Sequence, residues 1–160
     1  MNRIIFALGS NLGNRELFLN KAIVALTNRL NLKNIKASTI LQNKALLLEN
    51  SPKEWDIDFF NITFSGDINL DDFEPLEILR IIKEIELKVG RINRGKWSPR
   101  EIDIDILAID NLAFDFGDKL HIPHKELFNR DFFTNKFEEI EPEIFNKFRP
   151  QKRNLLKTAN

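Results

Sequence analysis

The chain has 160 residues, a length that suits one domain with a substantial hydrophobic core. Lysine plus arginine number 24, aspartate plus glutamate also number 24, and this zero net charge argues against a dedicated polyanion-binding protein. Cysteine is absent, which excludes disulfides and thiolate metal sites. No apolar run is long enough for a membrane span, and no cleavage pattern indicates a signal peptide, so we expect a cytosolic protein.

Apolar periodicity predicts strands and helices that alternate along the chain. We predict strands at residues 3–8, 33–42, 59–65, 101–109 and 117–123, helices at 15–30 and 75–90, and one or two short helices after residue 124. Asn14 is the predicted N-cap of the first helix, and Pro75 and Gly90 mark the first turn and the C′ position of the second. The order β-α-β-β-α-β is the ferredoxin-like split arrangement, so we expect an α+β fold with a mainly antiparallel sheet.

The stretch GRINRGKW at residues 90–97 resembles a phosphate-binding P-loop in which Trp97 replaces the hydroxyl residue that holds magnesium. A P-loop follows a strand and opens a helix, so that helix N–H groups face the phosphates. Here a predicted helix ends at Gly90 and a strand follows. We therefore interpret the match as accidental.

The same segment is strongly basic and leads directly into paired acids. It contributes four cations without an intervening acid: Arg91, Arg94, Lys96 and Arg100. Asp103 and Asp105 follow, and residues two apart on a strand share a face with Cα atoms about 6.6 Å apart. Such a pair suits Mg²⁺, which takes one or two carboxylates together with substrate phosphates. The pattern is also typical of a half-exposed strand beside a solvated loop, but the adjacency of cations and acids favours a clamp for a metal–polyphosphate.

The only two histidines, His121 and His124, precede Arg130 in the segment HIPHKELFNRDFF. An H-x-x-H pair can bind a transition metal. Alternatively, His124 can donate to a phosphate oxygen and Arg130 can pair with one through two hydrogen bonds. A loop histidine and a surface arginine remain the structural alternative.

Taken together, several segments resemble the 6-hydroxymethyl-7,8-dihydropterin pyrophosphokinases of folate biosynthesis. The matching stretches are GSNLGNR (9–15), FFN (59–61), GR (90–91), WSPREIDIDIL (97–107) and IPHKELFNRDFF (122–133). The resemblance implies a ferredoxin-like core within an α/β/α sandwich. It also implies a magnesium-dependent transfer of pyrophosphate from ATP to the hydroxymethyl group of a reduced pterin, with AMP as the second product.

The resemblance also implies roles for individual residues. Two Mg²⁺ ions would join the ATP phosphates to Asp103 and Asp105, and Arg100, His124 and Arg130 would contact the phosphates. The nucleotide side would be lined by Lys83, Glu86, Arg91, Trp97 and Ile106. The pterin would contact Gly9, Leu46, Phe59, Asn61 and Phe132, with the two aromatic rings on either side of it.

The sequence departs from the common family pattern at the loops. Ser98 follows the tryptophan where glycine is usual, and a second loop arginine has moved from position 93 to Arg94, which leaves the division of roles between Arg91 and Arg94 open. Asn43 and Lys44 replace a frequent Thr-Pro, and we expect the long loop 43–58 to act as a mobile lid.

We expect one pterin pyrophosphokinase domain over residues 1–160, whose basic end from about residue 147 is frayed or a linker to another folate enzyme. The family leads us to expect a monomer that acts on small molecules, without nucleic-acid or membrane partners. Two alternatives remain. A ferredoxin-like RNA-binding module would use the 14 phenylalanines for stacking, but it lacks the RNP1 pattern. A metal-dependent hydrolase would use the aspartate pair and His124 without an acceptor alcohol.

Overall fold

The computed structural model describes residues 1–148, so all but the first two residues of the predicted basic tail lie outside the described part of the chain. The strands are β1 (Asn2–Ser10), β2 (Lys33–Ala37), β3 (Leu41–Asn43), β4 (Phe59–Ile68), β5 (Asp103–Ile109), β6 (Phe114–Asp115) and β7 (His121–Ile122). The helices are α1 (Arg15–Arg29), α2 (Pro75–Val89), α3 (Asp131–Ile140) and α4 (Pro142–Asn146), with a short 3₁₀ turn at Lys53–Trp55. No helix within residues 1–148 has the length and apolarity needed to cross a bilayer.

The predicted helix ends are confirmed. The Asn14 side chain accepts a hydrogen bond from the Leu17 N–H at 3.1 Å, which satisfies one of the free donors at the start of α1. Pro75 opens α2. Gly90 ends it with a φ of 129°, a conformation that glycine adopts without steric cost.

The prediction of one strand over residues 33–42 is wrong, because β2 and β3 are separate strands. Ser38 causes the break. Its hydroxyl accepts the Thr63 N–H at 2.9 Å, replacing a main-chain partner, while its own N–H donates to the Thr63 carbonyl at 2.8 Å. The short strand predicted at 117–123 is confirmed only at β7, which pairs with β6 in a small hairpin.

The main sheet has the order β2-β4-β1-β5, with β3 also paired to β4, and every pairing is antiparallel. This arrangement confirms the α+β class and the ferredoxin-like core. Alternate residues of the central strand β1 face opposite sides of the sheet. Ile4, Phe6 and Leu8 pack in the core beneath α1 and α2, while Ile5 and Ala7 pack in a second core beneath α3 and α4. The two cores confirm the α/β/α sandwich.

Strand β5 contains an extra residue that changes its alternation. Phe6 of β1 pairs with Ile106 and Ile5 pairs with Ala108, so Leu107 has no opposite residue and forms a β-bulge. Before the bulge, three isoleucines lie in the core beneath α1 and α2, as predicted: Ile102, Ile104 and Ile106. Asp103 and Asp105 therefore face the opposite side of the sheet, beside the layer that contains α3.

Candidate active site

A row of residues crosses the sheet at one end and forms the floor of a large cavity. The strand registers align Leu41 with Asn61, Asn61 with Gly9, and Gly9 with Asp103, so these four residues lie side by side on four neighbouring strands. All four line a cavity of about 880 Å³. The cavity therefore joins an apolar and amide-bearing end, near β3 and β4, to an acidic end on β5.

Gly9 is the point in this floor where a side chain would not fit. A Cβ atom there would lie 2.9 Å from Oδ1 of Asn61 and 3.3 Å from the ring of Phe59. Glycine allows both side chains to lie directly over the β1 backbone. Asn61 is only 5% exposed, and it donates from Nδ2 to Oδ1 of Asn43 at 2.5 Å.

The two aspartates of β5 lie at the acidic end, beside the predicted cations. Nη1 of Arg91 lies 3.0 Å from one Asp103 oxygen, and Nη1 of Arg100 lies 3.5 Å from the other. Nε2 of His124 lies 3.6 Å from an Asp105 oxygen. Both aspartates keep part of their side-chain surface accessible to the cavity, with 28% exposure for Asp103 and 32% for Asp105.

The environments of the two aspartates shift their pKa values in opposite directions. Burial and the neighbouring Asp105 carboxylate raise the pKa of Asp103, despite the positive charges of the nearby arginines. Burial acts in the same direction on Asp105, but the contact with His124 and the charge of Arg130 outweigh it, so the pKa of Asp105 is lowered. This acidic pair is thus only partly neutralised by the protein.

Glu86 lies behind the acidic end and not on the cavity wall, although the family resemblance predicted a nucleotide contact. It is 2% exposed. Its Oε2 accepts from Nη1 of Arg91 at 2.7 Å and from the Ile104 N–H at 2.9 Å. Since Arg91 also reaches Asp103, Glu86 ties the end of α2 to both the guanidinium and the strand backbone between the two aspartates.

His124 is held by its backbone and by both ring nitrogens. Its N–H donates to the carbonyl of the bulged residue Leu107 at 2.9 Å. Its Nδ1 accepts from the Glu126 N–H at 3.0 Å, which places the proton of a neutral ring on Nε2, facing Asp105. The ring also meets Phe133 edge-on, with centroids 5.2 Å apart. His124 can therefore donate a hydrogen bond at the edge of the cavity.

Arg130 and Phe132 enter the cavity from the start of α3. The Arg130 guanidinium lies over the ring of Phe133, 5.1 Å from its centroid, and Phe132 meets the same ring at 4.5 Å. Phe59, on β4, lines the same cavity, as does the exposed Leu46 of the 43–58 loop. The aromatic and apolar groups predicted for the pterin thus lie around one space.

The basic segment after α2 forms an irregular loop, as expected of a sequence that is not a P-loop. Arg94 is paired with the buried Glu101 at 2.7 Å, so it fastens the loop to the residues before β5. Trp97 adopts a left-handed backbone conformation with a φ of 63°, and its Nε1 is buried without a hydrogen-bond partner among the described residues. Arg100 is fixed through its backbone, whose N–H donates to Oδ1 of Asn11 at 2.9 Å.

A second, smaller cavity of about 280 Å³ adjoins the first through Asp105 and His124, which line both. It contains two residues predicted for the nucleotide side, Lys83 and Ile106. Lys119 and Lys125 also line it and were not predicted, and so does His121, which the sequence analysis considered only as a possible transition-metal ligand. The hairpin β6–β7 brings them here, and the sequence alone did not reveal that pairing.

Of the predicted site residues, all but Lys83, Glu86 and Ile106 line the large cavity. A polar residue that the prediction missed is Asn11, which is 1% exposed and links the two loops beside the cavity. Its side chain accepts from Arg100 and donates from Nδ2 to the Ile57 carbonyl at 3.2 Å. Its place directly after the first predicted strand, within the stretch GSNLGNR, was the signal available in the sequence.

The chemistry of the donor set fits Mg²⁺. Within residues 1–148 no group of three or more His, Cys, Asp or Glu side chains is arranged to hold a metal. Two adjacent carboxylates facing a cavity with basic walls match a hard cation that completes its coordination with water and phosphate oxygens. Such an arrangement can bind a polyphosphate and its metal together.

Comparison with known proteins identifies one family. A family model described as 7,8-dihydro-6-hydroxymethylpterin-pyrophosphokinase (HPPK) matches residues 5–142. A protein of Aquifex aeolicus named 2-amino-4-hydroxy-6-hydroxymethyldihydropteridine pyrophosphokinase is 38% identical over 90% of this chain and 83% of its own length. The folate synthesis bifunctional protein of Chlamydia trachomatis is 40% identical over 92% of this chain, which spans about a third (32%) of that relative.

Solved structures of similar fold include the wild-type HPPK-DHPS protein of Plasmodium falciparum. One of its crystal structures, with STZ-DHP, superimposes with a TM-score of 0.60 at 14% identity, covering 96% of this chain and 44% of that one. At this identity, the likeness supports the fold alone.

Proposed function

Because this chain belongs to the 7,8-dihydro-6-hydroxymethylpterin-pyrophosphokinase family, we propose that it transfers pyrophosphate from ATP to 6-hydroxymethyl-7,8-dihydropterin in folate synthesis. The observation that carries the proposal is the cavity that joins Asp103 and Asp105 to a floor made by Gly9 and Asn61. One end has the charges that a triphosphate needs, and the other has the flat and polar surfaces that a heterocycle needs.

The reaction replaces one P–O bond by another. The hydroxymethyl oxygen of the pterin attacks the β-phosphorus of ATP, the bond from that phosphorus to the oxygen bridging it to the α-phosphate breaks, and AMP leaves. The hydroxyl proton is released as the new bond forms. Because such transfers need little covalent help, the protein acts mainly by aligning the two substrates and balancing the charge of the phosphates.

Asp103 and Asp105 would hold two Mg²⁺ ions against the phosphates. Bound there, magnesium supplies positive charge to the transferred group and fixes its orientation. Arg100, Arg130 and the Nε2–H of His124 would donate to phosphate oxygens, since each lies at or near the edge of the acidic end. Hydrogen bonds from charged donors to phosphate are among the stronger polar contacts that proteins make.

The pterin would occupy the other end of the cavity. Phe59 and Phe132 would lie against its faces, and Asn61 would bind its polar edge. Gly9 gives the ring access to the floor, and Leu46 would cover it from the 43–58 loop. Closure of that loop and of the basic loop that follows α2 would exclude water from the reaction.

The nucleotide would extend from the phosphates into the smaller cavity, where Lys83 and Ile106 lie. Trp97 and Arg91 would approach it from the basic loop. For Glu86 we propose a positioning role, because its carboxylate is already occupied by Arg91 and the Ile104 N–H.

We propose that residues 1–160 form one pyrophosphokinase domain that acts as a monomer in the cytoplasm on small molecules alone. A link to a second folate enzyme is supported by the relatives, several of which are named bifunctional proteins, including those of Chlamydia trachomatis and Lactococcus lactis.

The test is product analysis with ATP, Mg²⁺ and the reduced hydroxymethylpterin. We expect AMP to form in proportion to pterin diphosphate, and no nucleotide turnover without the pterin. Release of ADP would contradict the reaction type, and turnover without an acceptor would favour a hydrolase. Asp103→Asn and Asp105→Asn should each abolish turnover and keep the fold, and near-normal activity in either variant would exclude a metal-binding role for that aspartate.

A further inference from the structure

The side chain of Asn61 has one orientation in the cavity floor, and a neighbouring asparagine sets it. Nδ2 of Asn61 donates to Oδ1 of Asn43 at 2.5 Å, on the β3 side. Oδ1 of Asn61 lies on the opposite side, above Gly9 of β1, 2.9 Å from where a Cβ would stand. The amide group of Asn61 therefore lies across the strands, with its nitrogen towards β3 and its oxygen on the side of β1 and β5.

Asn43 is itself held by the sheet. It is the last residue of β3 and pairs with Phe59 of β4, two positions before Asn61. Strand pairing thus fixes the backbone from which its side chain extends. If the Asn61 amide turned over while Asn43 kept its orientation, two oxygens would face each other at this short distance. That contact would be repulsive, and a buried donor would lose its acceptor.

We propose that Asn43 is a specificity-determining positioning residue that locks the Asn61 amide, so that the cavity floor accepts only one order of donor and acceptor on a ligand. This inference rests on the proposed function, in which the cavity takes a pterin. The locked amide presents its oxygen as an acceptor and one remaining N–H as a donor. That pair is complementary to a cyclic lactam, in which an N–H stands next to a carbonyl.

A ligand with the reversed order would not match. When the pteridine 4-oxo group is replaced by an amino group, the ring nitrogen next to it loses its proton and becomes an acceptor. The locked Asn61 would then meet an acceptor with its oxygen and a donor with its N–H. Sites built around buried hydrogen bonds reject mismatched analogues strongly, because unpaired polar groups remain in the complex.

The experiment measures dissociation constants for 6-hydroxymethylpterin and for 2,4-diamino-6-hydroxymethylpteridine, by calorimetry in the presence of Mg²⁺ and a non-hydrolysable ATP analogue. For the unmodified protein we expect the 4-oxo compound to bind about 100-fold more tightly. Asn43→Leu keeps the side-chain size but removes the acceptor, so the Asn61 amide can turn over. We therefore expect the ratio of the two dissociation constants to fall about tenfold or more. Asn43→Asp retains an acceptor and should preserve the ratio.

Gln42→Leu serves as the matched control. Gln42 lies on the same strand but is exposed, and it donates to Asp58 outside the cavity lining. It should leave the ratio unchanged. If Asn43→Leu does not fold, Asn43→Ala carries the same comparison.

The outcomes separate the two proposals. If Asn43→Leu leaves the ratio of the two dissociation constants unchanged, Asn43 has only a structural role and this inference is overturned. That holds even if the variant has a lower melting temperature. Failure of the unmodified protein to bind either pteridine would overturn the proposed function as well. A ratio lost in Asn43→Leu and kept in Asn43→Asp supports the lock.

Discussion

Removing the Glu86 carboxylate should destabilise the free protein strongly, because the buried Ile104 N–H loses its acceptor and Arg91 loses one of its two carboxylate partners. In Glu86→Ala, the Ile104 N–H loses its 2.9 Å acceptor, and an orphaned buried donor costs about 1–3 kcal/mol. Arg91 loses a 2.7 Å charge-assisted bond but keeps Asp103 and is 28% exposed, so we discount that loss to about 1–2 kcal/mol. The sum is about 3 kcal/mol, which corresponds to a fall in Tm of about 10 °C for a domain of this size.

Thermal unfolding followed by circular dichroism, without ligands, measures this effect. Glu86→Gln keeps an acceptor for the Ile104 N–H and should lose about half as much stability. Glu84→Ala is the control, since Glu84 lies on the same helix but forms exposed ion pairs with Arg29 and Arg80, and its Tm should change little. A Glu86→Ala protein that melts within 2 °C of the unmodified protein would refute this account of Glu86.

Three further predictions concern other parts of the molecule. The hydrogen bond from Asn34 holds the pKa of Asp67 below its usual value, so Asp67 stabilises the fold above pH 4 and loses this contribution as pH falls through the lowered pKa. In urea denaturation, Asp67→Asn should therefore be less stable by up to about 1 kcal/mol at pH 7, and a deficit that does not shrink as pH falls from 7 towards 2 would contradict this cause. Gly9→Ala introduces a methyl group 2.9 Å from Oδ1 of Asn61. We expect pterin affinity to fall at least tenfold while the affinity for the ATP analogue is kept. Equal losses for both ligands would indicate general disruption. Arg94→Ala removes the cationic partner of the buried Glu101 carboxylate, so hydrogen exchange in residues 90–100 should accelerate before it does so in β1. Unchanged exchange would exclude Arg94 as the residue that fastens this loop.

The sequence predicted those features that local chemistry determines. Asn14, Pro75 and Gly90 each act within one turn of a helix, and the alternation of aspartate and isoleucine in β5 identified its two faces. These signals need no knowledge of the rest of the chain.

Other features depend on pairing between distant segments, and the sequence did not reveal them. The break at Ser38 arises from a bond to Thr63, 25 positions away, and the extra residue Leu107 is visible only against β1. The cavity floor required the registers of four strands. Family likeness assigned Glu86 to the nucleotide, whereas its buried contacts with Arg91 and the Ile104 N–H depend on the packing of α2 against β5, which the sequence did not reveal.

The bulge at Leu107 frees one main-chain carbonyl to anchor the segment that contains His124. The histidine is thereby attached to the same strand as Asp105. We therefore expect residues inserted at the tip of the β6–β7 hairpin to leave the imidazole in place. The rim of the smaller cavity can then change in length and composition while the position of His124 relative to Asp105 stays constant.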